Sequence, residues 1–331
     1  MSEPGPSEPS GSSASQEPKA AKAPDNERAR RLASFDADAL AYEQARPVYP
    51  ERLFDDLVAL SGVPAQRAVL EIGSGTGKAT LPLAQRGFHL LGVELGANMA
   101  TIARQKLAAY PNARVVVADF EQYPLPAAAF DLAVAASAWH WIDPAIGYPK
   151  VAQALKPGGA LALLWNSRWR QSRVSGEAGR ADDAADQPAA QSAQAASDAQ
   201  HDLGTYAAFQ EAAREVTRQI APQLARPVGE RGGERRRWRH RRSHEDMAAD
   251  AAEDVSISAY FAAPVVRTYA WTATYDASAY MRLLDSYSSY RILDPATRER
   301  LYAALTALID DRFGGRVRIP WQAELYLAQR R

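Results

Sequence analysis

A glycine-rich turn is the segment of this chain whose residue types and spacing indicate chemistry most directly. Its pattern is Glu71-x-Gly73-x-Gly75-x-Gly77, followed by Lys78. A Walker loop needs four residues between its first glycine and a Gly-Lys-Ser/Thr end, but only three separate Gly73 from Gly77. A dinucleotide fingerprint needs a third glycine three positions after the second, where this chain has Lys78. The turn fits neither phosphate-binding motif, and its missing Cβ atoms favour a ligand that the backbone approaches closely.

An acidic residue stands at the end of the next predicted strand. Glu94 lies in the segment Gly92-Val-Glu-Leu95. In dinucleotide sites an acid at this place accepts hydrogen bonds from ribose hydroxyls. The alternative is a solvated glutamate at the end of a buried strand. Together, the glycine turn and Glu94 favour a site for a ribose-bearing ligand.

The glycine turn resembles motif I of the class I S-adenosylmethionine-dependent methyltransferases. That cofactor has no phosphates, which agrees with the failure of both phosphate motifs. Further family segments follow in the family order and extend the resemblance over roughly residues 35–166. They are Ala118-Asp-Phe120, Phe130-Asp-Leu132 and Leu155-Lys-Pro-Gly-Gly159.

This resemblance implies S-adenosyl-L-methionine as the cofactor and a methyltransferase activity. It implies that Glu94 binds the ribose, and that Asp119 lies at the adenine amino group with the aromatic Phe120 beside it. The cofactor-binding residues that it implies are Glu71, Gly73, Ser74, Gly75, Thr76, Gly77, Glu94, Leu95, Asp119, Phe120 and Ala136.

The C-terminal part is similar, more weakly, to small-molecule methyltransferases of the type 11 group, among which trans-aconitate-like enzymes are found. The matching segments begin at Tyr280, Ile319 and Leu325. This similarity implies a small-molecule acceptor. A non-catalytic binding module with the same fold is the alternative from another class.

The segment after the fourth predicted strand bears on the acceptor. Amino methyltransferases often carry Asn/Asp-Pro-Pro-Tyr/Phe there, whereas this chain has Ser137-Ala-Trp-His-Trp-Ile-Asp143. The chain has no cysteine, which excludes the covalent route to pyrimidine C5. We therefore expect an oxygen acceptor, with a carboxylate favoured over a hydroxyl.

His140, between Trp139 and Trp141, is the candidate catalytic group of this segment. It is either a general base or acceptor-orienting hydrogen bonder, or a structural imidazole beside tryptophans that fill the core. Asp143 either orients His140 or caps the helix after Pro144, and the cap is the favoured interpretation.

Residues on two other segments are expected to complete the acceptor wall. Tyr42, Arg46 and Tyr49 resemble an N-terminal lid, in which Arg46 pairs with a carboxylate of either the cofactor or the substrate and the tyrosines shield the sulfonium. An Arg-Pro turn packed with two tyrosines is the alternative. Trp165 and Asn166 end the fifth predicted strand at the edge where ligands bind open sheets.

Composition and charge limit the partners. The 39 basic residues balance 39 acidic ones, which removes the simplest argument for a nucleic-acid binder. A basic run at 235–242 leaves open an RNA-directed enzyme, although acidic residues follow it and a solvated loop is favoured.

Without cysteine, a disulfide framework or thiolate metal site is excluded, and we expect no metal. No apolar run reaches the roughly 20 residues that span a bilayer. We expect a cytoplasmic monomer or homodimer.

Alternating strand and helix signals predict an α/β fold, with a Rossmann-like, mostly parallel seven-stranded sheet, one antiparallel strand and helices on both faces. Predicted strands include Ala68–Ile72, His89–Val93 and Phe130–Ala136. We divide the chain into four parts. They are a disordered tail (1–29), the lid and cofactor-binding half (30–170), a low-complexity insertion with one helix near 205–222 (171–257) and the C-terminal part of the methyltransferase domain (258–331).

Overall fold

The computed structural model describes residues 36, 38–168, 189–225 and 259–331. For 189–203, 225 and 288 it describes the backbone alone. The predicted tail, the basic run at 235–242 and much of the predicted insertion lie outside the described residues. The proposed domain boundaries stay predictions.

One seven-stranded sheet organises the described chain, in the order β3-β2-β1-β4-β5-β7-β6. Strands β1 to β5 pair in parallel, whereas β7 is antiparallel to both β5 and β6. The predicted fold class, with its single antiparallel strand, is confirmed. The strands are β1 (Ala68–Ile72), β2 (His89–Glu94), β3 (Ala113–Val117), β4 (Phe130–Ala136), β5 (Leu155–Arg168), β6 (Val265–Asp276) and β7 (Arg316–Gln329).

Helices connect the strands and cover the sheet. A single 3₁₀ turn, Trp139–Trp141, follows β4. The helices are α1 (Ala39–Ala45), α2 (Glu51–Ser61), α3 (Thr80–Gln85), α4 (Ala97–Lys106), α5 (Pro144–Ala154), α6 (Ala189–Ile220), α7 (Pro222–Ala225), α8 (Ala277–Asp285), α9 (Ser288–Arg291) and α10 (Pro295–Arg312). Within the described residues, none of them combines the length and apolar composition needed to cross a bilayer.

The core follows from the alternation of side chains along the strands. In β5, Ala160, Ala162 and Leu164 belong to one buried cluster, while Leu161 and Leu163 belong to the cluster on the opposite face. Successive strand residues point to opposite faces, so a continuous apolar run buries both sides of the sheet. Because β1 to β5 are parallel, their carboxyl ends lie at one edge, where open sheets of this kind bind ligands.

Helix caps explain several boundaries. The Asp143 side chain accepts a hydrogen bond from the Ala145 amide at 2.9 Å, so α5 begins at Pro144. The favoured capping interpretation of Asp143 agrees with this contact. Asp294 caps α10 in the same way through the Thr297 amide at 2.9 Å.

A third buried cluster includes α6. The helix begins at Ala189, earlier than the predicted 205, because the alanine-rich stretch before it favours helix without needing an apolar face. Its described side chains join the C-terminal part. Phe209 contacts Tyr280 and Phe313 edge to face, at centroid distances of 5.2 and 5.3 Å.

Candidate functional site

A cavity of about 610 Å³ opens at the carboxyl edge of the parallel strands. Its walls come from the glycine turn after β1, the ends of β2 and β4, and the lid segment that includes α1. This volume lies within the usual range of about 300–1,000 Å³ for small-molecule sites. The cavity brings the predicted cofactor and acceptor residues together in one space.

The three glycines of the turn have different structural roles. All three have positive φ angles, a backbone conformation that residues with a Cβ atom rarely adopt: +66° at Gly73, +55° at Gly75 and +81° at Gly77. A Cβ on Gly73 would lie 2.6 Å from the Ala138 Cβ, so this glycine lets the turn pack against the segment after β4. A Cβ on Gly75 would meet nothing within 4 Å. Gly75 therefore leaves room for a ligand.

Gly77 is the one predicted cofactor residue that does not line the cavity. A Cβ there would lie 3.3 Å from that of Ala103 in α4. Its requirement for glycine comes from the close packing of the turn on α4. We correct its role from ligand contact to turn packing.

Glu94 connects β2 to the glycine turn. Its two carboxyl oxygens accept hydrogen bonds from the Gly75 amide at 2.7 Å and the Gly96 amide at 2.8 Å. Burial raises the pKa of Glu94, and both amides act in the opposite direction. A carboxylate oxygen has two lone pairs, so each can still accept a ribose hydroxyl.

The adenine side of the cavity contains the predicted Asp119 and Phe120. One oxygen of Asp119 accepts from the Glu121 amide at 2.9 Å, which fixes the side chain. Phe120 is buried, with the Lys150 ammonium 5.3 Å from its ring centroid. Leu95 also lines the cavity and is 45% exposed. A bound ring would cover this exposed apolar surface.

Glu71, the first residue of the motif, is fully buried at the cavity floor. Within the described chain, neither carboxyl oxygen has a group in hydrogen-bonding geometry. Burial raises the pKa of Glu71 from 4.5 to about 8, although the Thr80 hydroxyl acts against this. The carboxyl group is therefore mostly protonated at neutral pH.

The 3₁₀ turn after β4 separates the three predicted catalytic residues. His140 and Trp141 line the cavity, and their ring centroids lie 4.9 Å apart. Trp139 points away into the core, where it contacts Tyr148 at 5.0 Å. Trp139 therefore packs the core and does not line the site.

The lid segment lies over the acceptor end. The hydroxyls of Tyr49 and Ser137 are 2.8 Å apart. The Asn166 amide donates to the Val48 carbonyl at 3.0 Å. Tyr42 and Arg46 line the cavity too. The four predicted residues Tyr42, Arg46, Tyr49 and Asn166 therefore lie together at this end of the cavity.

Trp165 is the exception among the predicted wall residues. It is 1% exposed and contacts Tyr326 edge to face at 5.6 Å, on the face of β5 opposite to Asn166. Adjacent residues of a strand point to opposite faces, so Trp165 and Asn166 cannot both face one cavity. Trp165 is a core residue.

Several site residues were not predicted. Glu43 of α1 fastens the lid: it accepts from the Thr76 hydroxyl at 2.5 Å and from the Lys106 ammonium at 2.8 Å. Burial alone would raise the pKa of Glu43, but these two donors and Lys78 hold it below its ordinary value. Only its place within the lid motif could have indicated it. Glu43 does not line the cavity itself. Residues that do line it, and that were also not predicted, come from distant segments: Asp36, Met99, Ile142, Tyr287, Ser289 and Trp321.

The sheet order, the glycine turn and the acid after β2 define a Rossmann-like cofactor-binding fold. Residues 70–163 match the type 11 methyltransferase domain family. A solved structure described as a candidate type II methyltransferase from Anaeromyxobacter dehalogenans is similar over 86% of this chain and 97% of its own, with 19% identity and a TM-score of 0.52. Residues 70–163 are thus similar to the methyltransferase domains of type 11, and the solved structure shows that the fold is shared.

Curated relatives are similar over the same part of the chain. An uncharacterised methyltransferase of Mycobacterium tuberculosis H37Rv is 40% identical over 135 residues, which are 41% of this chain and 53% of the relative. A malonyl-[acyl-carrier protein] O-methyltransferase of Methylovorus is 35% identical over 143 residues, 40% of this chain and 46% of the relative. The chain spans about half the length of the curated relatives it matches.

Proposed function

We propose that this protein transfers a methyl group from S-adenosylmethionine to an oxygen of a small molecule, with a carboxylate favoured over a hydroxyl. The observation that carries the proposal is one cavity of about 610 Å³ that joins the glycine turn to Arg46 and His140. Methyl transfer is an in-line displacement, which needs donor and acceptor in one enclosed space.

The cofactor half would hold S-adenosylmethionine. The half-buried Glu94 carboxylate, with free lone pairs, suits the ribose hydroxyls, and Asp119 suits the adenine amino group. Gly75 admits close approach of the ligand to the backbone. When bound, S-adenosylmethionine supplies the methyl carbon, to which the acceptor oxygen bonds as the carbon–sulfur bond breaks to leave a thioether.

The acceptor half favours an anion. Arg46 lines the cavity, and among the described residues it forms no ion pair with a carboxylate. A carboxylate is already ionised at neutral pH and needs no base, so alignment and exclusion of water would supply the rate. The Methylovorus relative is named as an O-methyltransferase, which also favours oxygen.

The test is methyl transfer from labelled S-adenosylmethionine to a panel of carboxylic acids, phenols and amines. We expect label in base-labile esters of carboxylic acids. Labelled amines or phenol ethers would contradict the carboxylate proposal. Tight cofactor binding with no transfer to any acceptor would instead favour a binding module. A salt-dependent RNA mobility shift lost on deletion of 231–242 would favour an RNA-directed enzyme.

His140→Gln distinguishes a carboxylate from a hydroxyl acceptor. With a carboxylate, we expect activity within about tenfold of wild type, because general-base catalysis contributes about 10²–10⁴ and is not needed. The measurement is kcat/KM against pH, with His89→Gln, at an exposed position on β2, as the control. A thousandfold loss, with disappearance of a pKa near about 6–7, would make His140 the base for a hydroxyl.

The chain's composition favours a cytoplasmic location for this activity. The protein would act on a small molecule, as a monomer or homodimer. Cysteine is absent, so no disulfide indicates an oxidising compartment. Fractionation of the native host, with the oligomeric state measured by light scattering, tests both statements.

A further inference from the structure

Two guanidinium groups lie at the acceptor end of the cavity, one in its wall and one behind it. Arg46 lines the cavity. Arg168 ends β5 directly opposite Trp321 of β7, and Trp321 also lines the cavity. Directly opposite residues of an antiparallel pair share one face of the sheet. Arg168 therefore lies on the face of the sheet that borders the acceptor end.

Both arginines have buried nitrogen donors without an acceptor. In the described part of the chain, the Nε atom of Arg46 and the Nε and Nη2 atoms of Arg168 are closed to solvent and donate to nothing. The Nη2 atom of Arg46 donates a hydrogen bond to the Ser286 carbonyl at 3.0 Å. Buried donors are nearly always satisfied, so three orphaned ones in a single region indicate a missing acceptor.

Aromatic rings surround these arginines instead of carboxylates. The guanidinium of Arg46 lies 4.1 Å from the ring centroid of Tyr287, and that of Arg168 lies 5.4 Å from the same ring. Tyr280 lies 5.8 Å from Arg168. No ion pair from either arginine to an acid occurs among the described residues, whereas Lys78 and Lys106 both pair with Glu43.

The local field is consequently positive. Burial alone would raise the pKa of Tyr287, but the charges of Arg168 and Arg46, together with a hydrogen bond from Arg168, outweigh it and hold that pKa below its ordinary value of 10.0. Arginine cannot relieve an unpaired buried charge by losing its proton. An anionic ligand group would satisfy both the orphaned donors and the charge.

We propose that Arg46 and Arg168, which both contact the ring of Tyr287, form a subsite for an anionic oxygen group of the acceptor other than the group that is methylated. This proposal rests on the proposed function. A carboxylate whose oxygens accept charge-assisted hydrogen bonds from a guanidinium is a weaker nucleophile than one without them, so we place the methylated oxygen on a different group of the acceptor. The acceptor is therefore at least a dianion, with a carboxylate or phosphate as its second group.

The first experiment needs no variant. The full chain, saturated with S-adenosylhomocysteine, is titrated calorimetrically with malonate, succinate and glutarate, with their monomethyl esters, and with phosphonoacetate, at constant ionic strength. We expect at least one diacid to bind ten times more tightly than its monoester. Preference for phosphonoacetate over malonate would assign the second group as phosphate-like, and the reverse as a carboxylate. Equal binding of diacids and monoesters would overturn the subsite.

The second experiment tests the residues. Arg168→Met removes a buried charge without an ion-pair partner, so we expect a folded protein that binds S-adenosylhomocysteine normally and loses the tenfold preference for the diacid. Arg168→Lys, which keeps the charge but loses the guanidinium donors, is the second variant. Arg282→Met is the control for net charge, because Arg282 lies at an exposed position of α8, where it donates a hydrogen bond to the Ser278 hydroxyl.

The outcomes separate this proposal from the proposed function. Full diacid preference in both Arg168 variants would overturn the subsite. Normal S-adenosylhomocysteine binding in wild type without diacid preference contradicts the subsite alone. Failure of wild type to bind S-adenosylhomocysteine contradicts the proposed function itself.

Discussion

Glu71→Gln is predicted to abolish a pH dependence of stability in the ligand-free protein. Folding raises the pKa of Glu71 from 4.5 to about 8 because the carboxyl group is fully buried. A carboxyl group with a raised pKa favours folding fully below 4.5, and this contribution is lost as the pH rises through 8. At about 1.4 kcal/mol per pH unit the difference corresponds to about 5 kcal/mol. Glutamine resembles the protonated carboxyl at every pH and carries no such loss.

The measurement is urea unfolding, followed by tryptophan fluorescence, of wild type and variant between pH 5 and pH 9. We expect similar stabilities at pH 5 and an advantage of about 3–5 kcal/mol for Glu71→Gln at pH 9. Taking the difference between the two proteins cancels the titrating groups that do not interact with Glu71. Glu299→Gln, at an exposed position on α10, controls for the change in net charge. A difference that stays constant from pH 5 to pH 9 would refute the reasoning.

Two further predictions concern the lid and the turn. Glu43→Gln should cost about 1–2 kcal/mol of unfolding free energy at neutral pH, because Lys106 and Thr76 lose a charged acceptor. Since folding lowers the pKa of Glu43, this cost should decline as the pH falls below 4.5 and vanish once the pH is below the lowered pKa of the folded protein, and a cost that does not decline with falling pH would contradict the assignment. Gly73→Ala should lower the thermal midpoint more than Gly75→Ala, because only the former adds a 2.6 Å clash to the positive-φ strain of about 1–2 kcal/mol. Equal thermal midpoints of the two variants would contradict the packing role of Gly73. Gly75→Ala should also weaken S-adenosylhomocysteine binding by more than its small loss of stability explains.

The cofactor half of the site was largely predictable because its determinants are local. The glycine turn and Glu94 follow two adjacent strands, and parallel strands bring their carboxyl ends to one edge. Spacing alone therefore placed these residues together. Gly77 shows the limit of the pattern. The sequence cannot distinguish a glycine that is required for packing on Ala103 from a glycine that is required for ligand binding.

The acceptor half was less predictable because side-chain direction and long-range contact decide it. In a 3₁₀ turn each residue is rotated by about 120° from the last, so the Trp-His-Trp run could not indicate which tryptophan faces the cavity. The Arg46 contact with the Ser286 carbonyl joins residues 240 positions apart. Strand alternation alone would have excluded the pair of Trp165 and Asn166 from one wall.

The most direct test of the account is calorimetric binding of S-adenosylhomocysteine to wild type and to Glu94→Ala. We predict saturable one-to-one binding by wild type, weakened by about 1–3 kcal/mol in the variant, because a carboxylate with free lone pairs in the cavity wall is lost. Asp294→Ala, which removes a carboxylate bonded to a backbone amide of α10, should bind as wild type does. Absence of binding by wild type, or equal affinity in Glu94→Ala, would contradict the claim that this cavity is a cofactor site with Glu94 as its ribose ligand.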